Sequence, residues 1–275
     1  MTGYLVYDVF TGQKYGGNQL AVVPQAAGLS EGDLQQIARE FNFSETSFVF
    51  PPEDPAHTAR VRIFTPTMEL PFAGHPTIGT AVALAALGHG PDMVLELGVG
   101  PLAAHAADGH AQFTTEVPLE RVAAPDPALV ARALGMAEDR MKSLPVMASL
   151  GVAFTFTELD SREALAELQP DVAAFREGAA AYPSGLDFAQ FAWVEAGGRI
   201  HARMFAPLDE MPEDPATGSA AATLAALLAE ARGVYAGTIH QGEDMGRPSQ
   251  IGVDAVPGRV TVSGEAVKVM EGRLT

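Results

Sequence analysis

Along this chain, apolar residues recur mostly with period two. Runs in which apolar or β-branched side chains dominate or alternate with polar ones occupy residues 4–9, 21–24, 46–50, 59–64, 93–97, 111–117, 151–158, 188–194, 200–205, 260–263 and 266–270, and most of them read as strands. Helical spacing is rarer. Residues 30–41 open with Ser30 as a cap and with Asp33 and Leu34 in the first turn. Residues 77–87, 126–134, 161–168 and 217–232 follow, the last stopped by Gly233. The pattern predicts an α+β protein with more strand than helix. No low-complexity tail or linker interrupts it, and the proline-rich stretch 122–127 is the natural seam between halves.

Within this pattern one unit occurs twice. Arg62-Ile-Phe-Thr-Pro66 and Arg203-Met-Phe-Ala-Pro207 share Arg-x-Phe-x-Pro, each at the end of a strand. His75-Pro-Thr-Ile-Gly-Thr-Ala81 then matches Asp214-Pro-Ala-Thr-Gly-Ser-Ala220 after a loop that is two residues longer in the first copy, and an Ala/Leu-rich helix follows both. Strand, loop, motif and helix in the same order twice imply a duplication, with one half over residues 1–118 and the other over 119–275; a C-terminal strand near 265–275 is able to pack back onto the first half.

Each motif ends in Gly and a small hydroxyl residue as an apolar helix begins, so each presents a helix N-terminus with outward N–H groups and roughly half a positive charge. Two such ends facing one another would hold a carboxylate-sized anion without Lys or Arg. Thr77, Thr80, Thr217 and Ser219 would serve equally as plain caps, but the duplication, and the proton-active residues His75 and Asp214 just before the two helices, favour a site. Glu45, in Asn42-Phe-Ser-Glu-Thr-Ser-Phe48, is a third element. Flanked by Phe43 and Phe48, its carboxyl is open to desolvation, the usual route by which a Glu becomes a general acid/base near neutral pH.

Composition narrows the chemistry. The 275 residues carry 17 Lys+Arg against 34 Asp+Glu, a formal charge of −17, with three lysines and no basic run; nucleic acid and anionic membrane surfaces are excluded as partners on that ground. There is no cysteine, which removes disulfides, thiolate nucleophiles and Cys-based metal sites. The seven histidines are scattered without a metal-binding spacing, so no metal is expected. The N-terminal residues read as a strand rather than a signal peptide, and the longest apolar stretch, 218–228, is too short to span a bilayer; a cytoplasmic protein is expected. Gly98-Val-Gly-Pro-Leu-Ala103 imitates a dinucleotide loop, but no helix follows it, and a β-turn is expected there. Met245-Gly-Arg-Pro-Ser249 also reads as a turn between strands.

The segments 8–22, 42–48, 62–77, Glu213-Asp-Pro-Ala-Thr-Gly-Ser-Ala220 and Gln241-Gly-Glu-Asp-Met-Gly-Arg-Pro-Ser249 resemble, in order and over essentially the whole chain, the signature blocks of the PhzF-like isomerases of phenazine biosynthesis. The resemblance implies a diaminopimelate-epimerase-like fold: two pseudo-symmetric halves, each a strand-rich open barrel around a central helix, with the active site in the cleft between them. It implies a proton-transfer isomerase without cofactor or metal, a homodimer, acting on a small and cyclic carboxylate like the dihydro-hydroxyanthranilate of the phenazine pathway. Glu45 would then be the acid/base. His75, Asp214 and Ser219 would bind substrate and assist the proton movement, while Gly74, Gly218, Thr217 and Asn18 would contribute binding contacts. One departure is Gly17-Asn18-Gln19, where the family pattern has Gly-Asn-Pro. An amino-acid racemase of this fold would use two opposed thiols, which the sequence lacks. A catalytically silent binding or regulatory protein is the other alternative.

Overall fold

In the computed structural model, which describes residues 2–209 and 211–275, the chain forms β1 (Thr2–Val9), β2 (Asn18–Val23), α1 (Glu31–Phe41), β3 (Glu45–Phe50), β4 (Ala59–Phe64), β5 (Glu69–Leu70), α2 (Gly74–Ala86), β6 (Asp92–Leu97), β7 (Gly100–Ala107) and β8 (His110–Thr115). It continues through β9 (Glu120–Ala123), α3 (Pro127–Leu134), β10 (Val146–Ser149), β11 (Ala153–Glu158), α4 (Arg162–Ala166), α5 (Val172–Ala181), β12 (Gln190–Ala196) and β13 (Arg199–Ala206). The last elements are β14 (Met211–Asp214), α6 (Gly218–Arg232), β15 (Tyr235–Gln241), β16 (Ser249–Val256) and β17 (Arg259–Leu274). Two compact units result, Met1–Thr114 with Thr261–Thr275 and Thr115–Val260.

The first unit is a ring of eight strands. Pairing runs β1 to β2, β3, β4, β6, β7 and β8, and β17 closes the circle by joining β8 on one side and β1 on the other. An open barrel was expected; this one is closed because the C-terminal strand returns to it. Inside lies α2, whose residues from Gly74 to Leu84 are all buried. A helix this apolar on every side has to be enclosed, and Gly79 shows how tightly: an added Cβ would stand 2.5 Å from Leu20 and 2.7 Å from Val9. The amphipathic α1 covers the outside, with Leu34 and Ala38 packed against Phe48 and Phe64.

The second unit repeats this order strand for strand. In both, a pair of strands joined in parallel through outer helices (β2 with β3, β11 with β12) leads to an antiparallel neighbour (β4, β13). A short strand turns back (β5, β14), a central helix crosses (α2, α6), and a second parallel pairing follows (β4 with β6, β13 with β15). The central α6 is built largely of alanine and packs against β10, β11, β15 and β16. On the outside, α3, α4 and α5 share a core around Phe175, Phe188 and Phe205.

Several elements differ from the sequence reading. The turn expected after Gly98 is present, at Gly98 and Val99 between β6 and β7, but strand β7 beyond it was not expected, because its buried positions, Ala104 and Ala106, are small enough to pass unread. Strand β17 is continuous where two strands were expected. Gly264 lies between the two expected runs, and a glycine fits there because an added Cβ would stand 2.4 Å from the Phe10 ring. Helix α5 escaped notice because its Gly178, which faces the Phe188 ring at similarly close range, interrupts the helical pattern. No helix among the described residues is long and apolar enough to cross a membrane.

Candidate active site

Glu45 is the first residue of β3 and lies opposite Leu20 of β2. It is buried at 9% exposure in the barrel wall. Removal from water favours the uncharged form, and burial pushes the carboxyl up to about 7. The Ser44 hydroxyl pulls more weakly in the other direction. That hydroxyl has a single proton, and it donates it to Asn18 Oδ1 at 3.0 Å. Asn18, Ser44 and Glu45 are thereby held side by side at the start of two parallel strands.

His75 belongs to the first turn of α2 and is 4% exposed. Its Nε2 stands 3.3 Å from the Gln19 carbonyl, which can only accept, so Nε2 carries the hydrogen and Nδ1 is the variable nitrogen. Nδ1 in turn lies 3.3 Å from Glu45 Oε2. The contact is within ion-pair range, and among the described residues Oε2 has no hydrogen-bond partner. The family departure at position 19 does not disturb the arrangement, since it uses a backbone carbonyl that proline also has.

In the second unit Asp214 ends β14 and is 5% exposed. The Thr217 hydroxyl donates to its Oδ2 at 2.5 Å, and Gln241 Nε2 donates both to the Asp214 carbonyl at 2.7 Å and to Thr217 Oγ1 at 2.9 Å. The Thr217 N–H goes to Gln241 Oε1 at 3.1 Å. Thr217, expected among the binding residues, therefore spends both its donors inside the protein. Ser219 and Gly218 open α6, with Ser219 half-buried and Gly218 buried. Gln241 was not singled out from the sequence, although it opens one of the signature blocks.

The two central helices share a further property. The outer helices α1, α3, α4 and α5 each have a side-chain cap, from Ser30, Asp126, Ser161 and Asp171. Neither α2 nor α6 has one, so their first N–H groups are not closed by their own cap residues. A separate cavity of about 470 Å³ in the first unit is lined by Glu53, His57, Arg60, Arg62, Glu69 and Glu96 among others. Its side chains pair with one another, as in His57 with Glu96 and Arg60 with Glu53, and none of Asn18, Glu45, Gly74, His75, Asp214, Thr217, Gly218 and Ser219 lines it. Among the described residues no group of three or more His, Asp or Glu is placed to hold a metal ion.

Comparison with known proteins agrees with the resemblance in the motifs. Residues 7–272 match the family described as phenazine biosynthesis-like protein. The trans-2,3-dihydro-3-hydroxyanthranilate isomerase of Pseudomonas aeruginosa is 36% identical over 99% of both chains. An uncharacterised isomerase of Mesorhizobium japonicum is 38% identical over 98% of both. Among solved structures, a PhzF-family phenazine biosynthesis protein of Bacillus anthracis matches with a TM-score of 0.89 over 100% of this chain and 99% of that one; at 22% identity this is a likeness of fold.

Proposed function

The chain belongs to the phenazine biosynthesis-like family and is an isomerase, and from that footing we propose that Glu45 is its single acid/base, acting on a small cyclic carboxylate of the dihydro-hydroxyanthranilate kind. The observation that carries this reading is the buried Glu45 carboxyl, pushed up to about 7, beside an imidazole whose other nitrogen is tied to a backbone carbonyl. A group that titrates near neutrality exists in useful amounts as both base and acid. As carboxylate it takes a proton from a substrate carbon: the C–H bond breaks, an O–H forms on Glu45, and the electron pair enters the conjugated system. The same O–H then delivers its proton to a different carbon, which shifts the double bond and leaves the enzyme as it began. His75 Nδ1 steadies whichever form is present.

In this reading Asp214 and Ser219 hydrogen-bond the substrate, Asn18 aligns the Glu45 segment, and backbone N–H groups around Gly74 and Gly218 receive its carboxylate. The uncapped starts of α2 and α6 support that last assignment, because a helix N-terminus attracts an anion through both its open N–H groups and its dipole. A racemase using two thiols is ruled out by the absence of cysteine. A cytoplasmic homodimer, which the resemblance implies, is open to sedimentation of the purified chain and to fractionation of the cells that make it.

The test is proton exchange. With trans-2,3-dihydro-3-hydroxyanthranilate in D₂O, wild-type protein should wash deuterium into product, and Glu45→Gln should lower that rate about 10²- to 10⁴-fold while the ligand still raises the melting temperature. Undiminished exchange in the variant would overturn the assignment of Glu45. Binding without exchange in wild type would favour the silent binding protein.

A further inference from the structure

The two copies of the repeat differ in one respect that their sequences hide. In the first, the segment from His75 to Ile78 is already helical, since α2 starts at Gly74. In the second, the matching segment from Asp214 to Thr217 is not, and α6 starts at Gly218. The difference of about one turn exceeds the one or two residues by which helix ends are ordinarily blurred. Proline does not explain it. Pro76 and Pro215 occupy the same place in the motif, and the restriction that a proline puts on the residue before it applies to both.

Gln241 does explain it. For α6 to wind back one turn, the Gly218 N–H would need the Asp214 carbonyl and the Thr217 N–H would need the Glu213 carbonyl. Gln241 Nε2 already occupies the Asp214 carbonyl, and its Oε1 already accepts from the Thr217 N–H. One side-chain amide thus replaces two helical hydrogen bonds. Its orientation is unambiguous, because turning it over would set oxygen against a carbonyl and NH₂ against an N–H. Nearby, the Ser249 hydroxyl donates to the Pro215 carbonyl at 2.7 Å, bracing the same loop.

The counterpart of Gln241 in the first unit follows from strand register. His201 pairs with His240 between β13 and β15, and Arg60 pairs with Glu96 between β4 and β6. With Arg62 matched to Arg203, Gln241 corresponds to Leu97, and Thr217 corresponds to Ile78. Both first-unit residues are buried and apolar. Where the first copy has Ile and Leu, the second has Thr and Gln, and only the second holds its motif off the helix.

We propose that Gln241 is a positioning residue for Asp214, keeping residues 214–217 unwound and fixing the Thr217 hydroxyl proton toward the Asp214 carboxylate. Since Gln241 Nε2 donates to Thr217 Oγ1, that oxygen is an acceptor on one side and sends its own proton to Asp214 Oδ2. This deepens the functional reading above and rests on its assignment of Asp214 to the substrate.

The test uses Gln241→Leu and the double variant Thr217→Ile with Gln241→Leu, which installs the first copy's pair in the second. The double variant avoids stranding a buried threonine and should melt near the wild-type temperature. Its crystal structure should show α6 beginning about one turn earlier with the Asp214 carboxylate displaced, and its kcat for deuterium exchange should fall about 100-fold, as small misplacements of reacting groups do, with a much smaller change in KM. An α6 that still begins at Gly218 in the double variant would overturn the proposal. So would kcat recovering in the double variant together with stability, which is what a packing role alone predicts. Asp214→Asn is the control for the underlying reading: full turnover there removes Asp214 from the site, while the position of the α6 start still decides whether Gln241 controls the loop.

Discussion

His75, in the first unit, sits inside the first turn of α2, with its ring between a backbone carbonyl and the Glu45 carboxyl. Asp214, its counterpart in the second, sits on a strand end ahead of α6 and receives the Thr217 hydroxyl. One repeated frame therefore carries two different kinds of group. The first unit raises a carboxyl toward neutrality by burial and, among the described residues, leaves one of its oxygens without a hydrogen bond. The second surrounds a carboxylate with a fixed donor. What the halves keep in common is the scaffold behind these groups. Arg62 stacks on Phe64 and grips Glu69 with two hydrogen bonds of 2.7 Å; Arg203 stacks on Phe205 and grips Glu213 with two of 2.8 Å. The Arg-x-Phe-x-Pro motif is thus a clamp that ties the end of a strand to the loop feeding the central helix, and the difference in chemistry is written just beyond it.

The clamps are alike in pattern and unlike in setting, which gives the largest expected effect. Arg203 and Glu213 are 10% and 16% exposed at the side chain, and Arg203 also donates to the carbonyls of Leu165, Ala166 and Leu168 at the end of α4. Arg203→Ala leaves Glu213 buried without its partner and three carbonyls without their donor. We expect a loss of about 3–5 kcal/mol in urea unfolding, with the midpoint falling and the slope unchanged. A loss below about 1 kcal/mol would show that the second clamp is no more than a surface ion pair.

The sequence made the clamp visible and left its beneficiaries hidden. Arg, Phe and Pro recur at fixed spacing along one strand, so the repeat could be found by laying the chain against itself. Glu45 was legible for the same local reason: a carboxylate between aromatic residues at the head of an apolar strand. Gln241 was not, because its partners lie 24 and 27 residues away across a helix and a parallel strand pairing, and no local pattern distinguishes a glutamine that braces a loop from one that faces water. The later start of α6 was illegible too. The helix windows read 77–87 and 217–232 as a matched pair, whereas α2 in fact gains a turn at its N-terminus that the Pro76 position concealed. Strand β7 was missed through its alanines, whose burial depends on how narrow the barrel is. Period and motif report what lies on one element, and contact between distant elements decides the rest.

A second consequence concerns pH. Glu45 has its carboxyl raised from the ordinary 4.5 to about 7 in the folded protein, so the native state binds its proton more tightly than the unfolded chain does. Its contribution to stability is complete below about pH 4.5 and is lost as pH rises through 7. The difference between those limits is on the order of 3 kcal/mol. Glu45→Gln cannot ionise and should lack this decline, melting above wild type at pH 8 and approaching it at pH 5. The variant would be more stable and inactive, as expected where burial tunes an acid for chemistry. If the two proteins keep a constant difference from pH 5 to 8, Glu45 is not protonated by its surroundings, and the contrast between the two units loses its basis.

The smallest effect sharpens the contrast between clamps. Arg62 is 19% exposed at the side chain, but its partners Glu31 and Glu69 are 80% and 41% exposed, and ion pairs in such settings contribute about 0–1 kcal/mol. Its guanidinium stacks 5.2 Å from the Phe64 ring centre, which adds packing that alanine would lose. Arg62→Ala should therefore cost about 1 kcal/mol, several times less than Arg203→Ala. Salt separates the two further. Raising ionic strength from 0.1 to 1 M shortens the screening length from about 10 to about 3 Å, which should erase most of the ionic part of the Arg62 effect while leaving the enclosed Arg203 pair almost untouched. Equal losses at both sites, or equal salt sensitivity, would mean that burial does not distinguish the two clamps and that the second unit gains nothing from enclosing its own.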